Sequence, residues 1–205
     1  YSTCKNVEGV CTFGRNTGYA ACMANYITPT PIVGQTQPTP TPVPVCTYGP
    51  YAVPGRVEAE NFTCGGSGVA YYDTTVSNQG STYRTGESVD SQATRDIGGG
   101  YNVGWTRAGE WMKYRIGASL AGKYNLVVRT AATATTGKFR IKIDGVDVSG
   151  QVSVPVTSGL QVFRDVIVPN VSLTAGQHTL ELVIAGDGAN YNYIFSKNVS
   201  KNAHF

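Results

Sequence analysis

The chain has 205 residues, enough for one domain of ordinary size with something added, or for two small ones. Charged residues make up 14%, and the 25 glycines and 13 tyrosines outnumber the 2 methionines, a composition that disfavours a helical bundle. The net charge of +3 is too small and scattered for a nucleic-acid footprint, and no apolar run is long enough to predict membrane insertion.

The chain opens on Tyr1, which reads as a processed product or a fragment, so no signal peptide is there to be read. Residues 1–27 form a segment too short to hold a core alone; Cys4, Cys11 and Cys22 lie in it, and 19–26 suits a short helix. Cys46 and Cys64 complete a set of five. With no C-x-x-C pair and only His178 and His204, zinc is disfavoured, and a disulfide-stapled segment in an oxidising compartment is expected. The odd count leaves a thiol free, paired with another chain, or without its original partner. Connectivity does not follow from sequence. The expected pair is Cys46–Cys64, which brackets the first predicted strand of the following domain.

Residues 28–49 begin with alternating Thr-Pro, which favours an extended polyproline II spacer because proline fixes φ and lacks a donor. Residues 50–198 read as all-β. Apolar or alternating runs recur at 56–60, 110–116, 122–130, 137–143, 163–168, 176–184 and 190–195. Gly-rich turns such as Asp144-Gly145 and Asp187-Gly188 separate them. This spacing predicts a β-sandwich, with 199–205 as a tail. Three N-x-Ser/Thr sequons, at Asn61, Asn170 and Asn198, permit N-glycosylation.

Several blocks carry a resemblance. They are Val57-Glu58-Ala59-Glu60-Asn61-Phe62, the 68–75 stretch, Tyr83-Arg84, Val89-Asp90, the dense 99–114 stretch with Trp105 and Trp111, the 171–180 stretch, and Asn190-Tyr191-Asn192-Tyr193-Ile194. In order and spacing, residues 57–195 resemble a family 6 carbohydrate-binding module, a jelly-roll, lectin-like β-sandwich attached to secreted polysaccharide-degrading enzymes. The resemblance implies a structural calcium ion held by Glu58, Glu60, the Arg84 carbonyl and the Asn192 side chain. Alternation puts both glutamates on the same side of one strand, where two like charges need a cation or exposure. Calcium suits them as a hard ion wanting six to eight oxygens. Relatives carry Asp where Asn192 stands, so the neutral amide lowers the site's charge.

The resemblance also implies a sugar cleft among loops at one edge of the sandwich. Trp105, which follows a Gly-rich loop, is its platform, and Asn190 bonds hydroxyls. The family's second aromatic comes from Gly-Trp-Gln; here the match is Gly159-Leu160-Gln161, so the second wall is Leu160. Tyr101 and Tyr191 are candidate substitutes. Trp111 reads as core, with a second surface site on the sandwich face as the alternative.

No catalytic site is read. Glu110 with Asp96, or Glu87 with Asp90, cannot be told from ordinary loop acids, and His178 reads as surface filler on a hairpin strand. The expected function is non-catalytic, extracellular binding of polysaccharide. One alternative is a structural subunit of an extracellular assembly, self-associating through the N-terminal segment. Another is the C-terminal fragment of a longer glycoside hydrolase.

Overall fold

The computed structural model describes residues 47–199, and these contain no helix. The strands in chain order are β1 (Tyr51–Val53), β2 (Gly55–Glu58), β3 (Tyr71–Tyr72), β4 (Ser91–Ala93), β5 (Tyr101–Val103), β6 (Trp111–Ala118) and β7 (Gly122–Ala132). They continue with β8 (Lys138–Ile143), β9 (Val146–Asp147), β10 (Val152–Ser153), β11 (Arg164–Leu173), β12 (Gly176–Gly186) and β13 (Ala189–Asn198). Alternation of apolar and polar side chains explains the long strands. In β6, Met112, Tyr114 and Ile116 turn inward while Trp111, Lys113 and Arg115 turn outward. Lys138–Ile143 forms β8 with Phe139, Ile141 and Ile143 buried, as its pattern predicts.

The strands make two sheets. One runs β1-β6-β12-β8-β10, with β3 added to β6 and β9 to β8; β1 lies parallel to β6. The other runs β11-β7-β13-β5-β4, with β2 added to β13. Their inner faces meet in one core that includes Tyr114, Phe139 and Leu182 from the first sheet and Leu126, Val128 and Tyr191 from the second. Ring contact across it is direct: Phe139 and Tyr191 meet edge-on at 6.0 Å. This is the expected all-β sandwich.

Two departures from the sequence reading have local causes. The 163–168 run continues to Leu173, because Pro169 falls where the β11–β7 register shifts between Val168 and Val171. A bulge on an edge strand tolerates a missing donor. The short strands β1, β3, β4, β5, β9 and β10, two or three residues each, carry no readable periodicity. The Asp144-Gly145 turn closes the β8–β9 hairpin with both residues at positive φ, 50° and 84°, the conformation that a two-residue hairpin loop requires.

Leu182 is fully buried at the middle of β12, between β6 and β8. Leu182→Ala should therefore cost about 3 kcal/mol. Urea unfolding should show a lower midpoint with an unchanged slope; an unchanged midpoint would contradict this packing.

Candidate functional site

The β5–β6 loop presents Trp105, 43% exposed and held at φ +48°. Left-handed backbone costs a bulky residue about 1–3 kcal/mol, so the surrounding structure must impose it. It does so on both flanks. Gly104 N–H donates to the Asp90 carbonyl at 3.0 Å, and the Thr106 hydroxyl donates to the Ala189 carbonyl at 2.6 Å. Further on, Gly188 N–H donates to the Thr106 carbonyl, and Ala108 N–H to Asp187 Oδ1, each at 2.8 Å. Glu110, buried in front of β6, closes the loop by accepting from Arg107 N–H at 2.8 Å and from the Thr74 hydroxyl at 2.6 Å. Gly80 lies beneath the indole: a Cβ there would stand 3.0 Å from Trp105 Cζ3 and 1.8 Å from the Ser91 carbonyl oxygen.

The floor beside the platform is amide-lined. A Cβ on Gly104 would stand 3.0 Å from Asn190 Oδ1 and 3.1 Å from Gln92 Nε2, so glycine leaves room for both side chains. Asn190 Nδ2 donates to the Leu160 carbonyl at 2.8 Å, which draws the β10–β11 loop against β13. Gln161 pins that loop from its other side, donating to Asn102 Oδ1 at 3.0 Å and accepting from Arg95 N–H at 2.9 Å. Leu160 stays 39% exposed. Asn190 is thus tied to the Leu160 backbone and lies beside Gly104, the residue before Trp105, and is itself 1% exposed. Sequence reasoning missed Gln92; its only signal was its place two residues after Asp90.

Two aromatic expectations, for Tyr191 and Trp111, are corrected. Tyr191 is 1% exposed and belongs to the core, where its ring meets Phe139, so it cannot line the cleft. Tyr101 is stacked on Tyr83 at 4.7 Å, which takes up a ring face. Trp111 is not core: it is half-buried on the outer face of β6, with Lys113 Nζ 4.6 Å from its ring centroid, and Met112 is the core residue.

The glutamates differ from the single-strand arrangement expected. Strand β2 ends at Glu58, and Glu60 lies in the turn that follows. Glu58 is bound by Arg56, Nε to Oε1 at 2.6 Å and Nη2 to Oε2 at 3.0 Å. Glu60 is 5% exposed, and burial, with repulsion from Glu58, raises its carboxyl to about 7 against hydrogen bonds from the Glu60 and Tyr101 backbone. Asn192 is fully buried, its carbonyl accepting from Ala59 N–H at 2.9 Å. Glu60 Oε2 and Asn192 Oδ1 are buried without a hydrogen-bond partner. Unpartnered carboxylate and amide oxygens are ligands of the kind that a hard cation takes. Arg84, at φ +50°, accepts at its carbonyl from Glu87 N–H at 2.9 Å; its guanidinium holds Glu87 and the Phe62 carbonyl.

The acids weighed in the sequence as acid/base pairs have other partners. Asp96 is held down at about 2 by hydrogen bonds from Arg129 and Asn192. Glu87 is bound to Arg84. His178 is engaged at both nitrogens, Nδ1 with Asp144 Oδ2 at 2.7 Å and Nε2 with the Thr174 carbonyl at 3.0 Å and the Thr174 hydroxyl at 3.3 Å, all at the exposed surface. Cys64 is disulfide-bonded. Cys4, Cys11, Cys22 and Cys46 lie outside the described residues, as do the Cys46–Cys64 pairing, the 19–26 helix and most of the Thr-Pro spacer.

A β-sandwich with an exposed tryptophan platform over amides is the construction of a sugar-binding module. The model of carbohydrate binding module (family 6) matches residues 79–200, and the chain belongs to that family. Among solved structures it is similar to the C-terminal family 6 module of a marine laminarinase from Zobellia galactanivorans. The two are 27% identical with a TM-score of 0.53, over 70% of this chain and 98% of that one. It is likewise similar to a β-1,3-glucan-binding family 6 module from Bacillus halodurans, at 25% identity and a TM-score of 0.53, over 72% of this chain and 98% of that one. Among curated proteins, the clotting factor G alpha subunit of Tachypleus tridentatus is 31% identical over 119 residues, 57% of this chain and 17% of that protein.

Asp90, 2% exposed, ties the two sides of the platform: its Oδ1 accepts from Gln79 N–H at 2.6 Å and its carbonyl from Gly104. Burial, with repulsion from Asp73 and Glu110 against attraction to Arg107, raises its carboxyl from 3.8 to about 6. A raised folded-state value favours the protonated form, so this contribution is full below about pH 4 and lost as pH rises through about 6. Compared in chelator, Asp90→Asn should lose less stability than wild type between pH 4 and pH 7, by on the order of 1 kcal/mol in urea unfolding. Parallel profiles for the two proteins would refute the assignment.

Proposed function

We propose that the chain is a non-catalytic, extracellular module that binds a neutral polysaccharide of the β-1,3-glucan class across the Trp105–Leu160 cleft. The observation that carries this is Trp105, exposed and held at positive φ beside the Asn190 and Gln92 amides. Sugar C–H faces pack on an indole, and hydroxyls need directed donors and acceptors such as these amides supply. Leu160 covers the opposite sugar face without a π-surface, so binding is modest and relies on the tryptophan. The choice of glucan rests on the similar modules from Bacillus halodurans and the marine laminarinase. An extracellular setting is supported by the disulfide at Cys64. Exposed Asn170 and Asn198 suit glycan attachment, whereas Asn61 Oδ1 already accepts from the Tyr83 hydroxyl at 2.8 Å.

Affinity electrophoresis with laminarin, xylan and cellulose derivatives tests the reading. Retardation should be strongest with laminarin. Trp105→Ala should weaken it about tenfold or more with an unchanged melting temperature, the loss of a stacked ring and its buried area. Equal retardation of wild type and Trp105→Ala in every glycan would remove the cleft.

We further propose that Glu58, Glu60, Asn192 and the Arg84 carbonyl hold a structural calcium ion. The ion supplies positive charge that lets the two carboxylates stay ionised together. The chain's own part is to bring the turn after β2 against β13, through the Ala59–Asn192 backbone bond. Saturating calcium should raise the melting temperature by several degrees over chelator, and magnesium should do so poorly. Identical melts in calcium and chelator would leave the glutamates without a metal.

A further inference from the structure

Asn192, the neutral side chain of the proposed ligand set, has a charged partner. Asn192 Nδ2 donates to Asp96 Oδ2 at 2.8 Å. Asp96 comes from the β4–β5 loop, and its side chain is 6% exposed. Arg129 of β7 grips it with two bonds, Nε to Oδ2 and Nη2 to Oδ1, both at 2.8 Å, and reaches Asp165 with Nη1 at 3.1 Å. An ionised carboxylate only accepts hydrogen bonds, so it can meet only the NH2 end of an amide. The amide's oxygen must then point the other way, and that oxygen is the buried Oδ1 without a partner.

We infer that Asp96 is the positioning residue of the calcium site: it locks the Asn192 amide with its oxygen toward the ion and supplies, one hydrogen bond away, the negative charge that an aspartate ligand would have carried directly. Asp96 and Asn192 are thus a matched pair. An aspartate at 192 would set a carboxylate oxygen about 2.8 Å from Asp96 Oδ2, where two like charges cannot both persist. Arg129 already serves Asp96 and Asp165 and cannot relieve that clash alone.

The inference rests on the calcium reading above, and its test separates the two. Calcium binding is measured by isothermal titration, and melts are recorded in chelator and in calcium, for wild type, Asp96→Ala, Asp96→Asn, Asn192→Asp and the Asn192→Asp/Asp96→Asn double variant. Asp96→Ala frees the amide to turn its NH2 inward and should weaken calcium binding about tenfold or more, the usual effect of removing a group that orients a metal ligand. Asp96→Asn keeps the shape and should weaken it less. Asn192→Asp alone should melt below wild type in chelator and bind calcium no more tightly. The double variant reverses donor and acceptor, and should bind at least tenfold more tightly than Asn192→Asp. That rescue is a readout that a merely structural Asp96 would not move. If wild type binds no calcium by either method, the metal reading and this inference fall together. If wild type binds calcium while Asp96→Ala binds equally well, or Asn192→Asp alone binds more tightly than wild type, only this inference falls.

Discussion

Strand β13 is paired by β7 from Ala189 to Asn198, and on its other side by β5 at Tyr191 and β2 from Tyr193 to Ser196. Its register against β7 slips between Tyr191 and Tyr193. The consequence is visible in the core, which receives Tyr191 and Ile194, three positions apart where strict alternation would give two or four. Asn192 is the residue left over. The bulge turns its side chain toward Asp96 while its carbonyl takes the Ala59 amide. A flat β13 would have given Asn190 and Asn192 the same surroundings. With the bulge, one serves the cleft and the other faces the glutamate turn, and the two candidate sites separate along a single strand.

A chain with only 14% charged residues nevertheless buries or half-buries several carboxylates, and most have their own compensation. Asp96 is held ionised by a guanidinium. Asp90 and Glu110 accept from backbone amides and a threonine hydroxyl, which offsets part of their desolvation. Glu60 is the exception, with one oxygen unpartnered, and the neighbouring Asn192 oxygen shares that condition. Native folds leave few such atoms, and these two are the oxygens that the proposed calcium site would use.

The cleft shows how strain is carried by support from elsewhere. Trp105 holds a backbone conformation that costs it energy, and the bonds that impose it come from Asp90, Asp187 and Ala189, outside its own loop. Leu160 is held more indirectly, by Asn190 and Gln161 through its backbone surroundings.

The long strands, the sandwich and the tryptophan platform were legible in the sequence, because alternation and Gly-rich turns act over a few residues and Trp105 stands in a dense family block. The roles proposed for Asn190 and Leu160 came only through the resemblance, since no local pattern marks a residue for a site that loops build from distant strands. Where local rules were applied alone they misled. Alternation placed Glu60 on a strand that ends at Glu58, and the density of apolar neighbours sent Trp111 inward when it faces out. Tyr191 and Asn192 depended on a bulge whose register is set by the partner strand, and Asp96 reaches Asn192 from 96 residues away. The sequence by itself therefore determined the periodic elements and the fold they build. Only the tertiary structure decided which polar atoms meet, because hydrogen bonding and burial depend on what arrives from elsewhere in the chain.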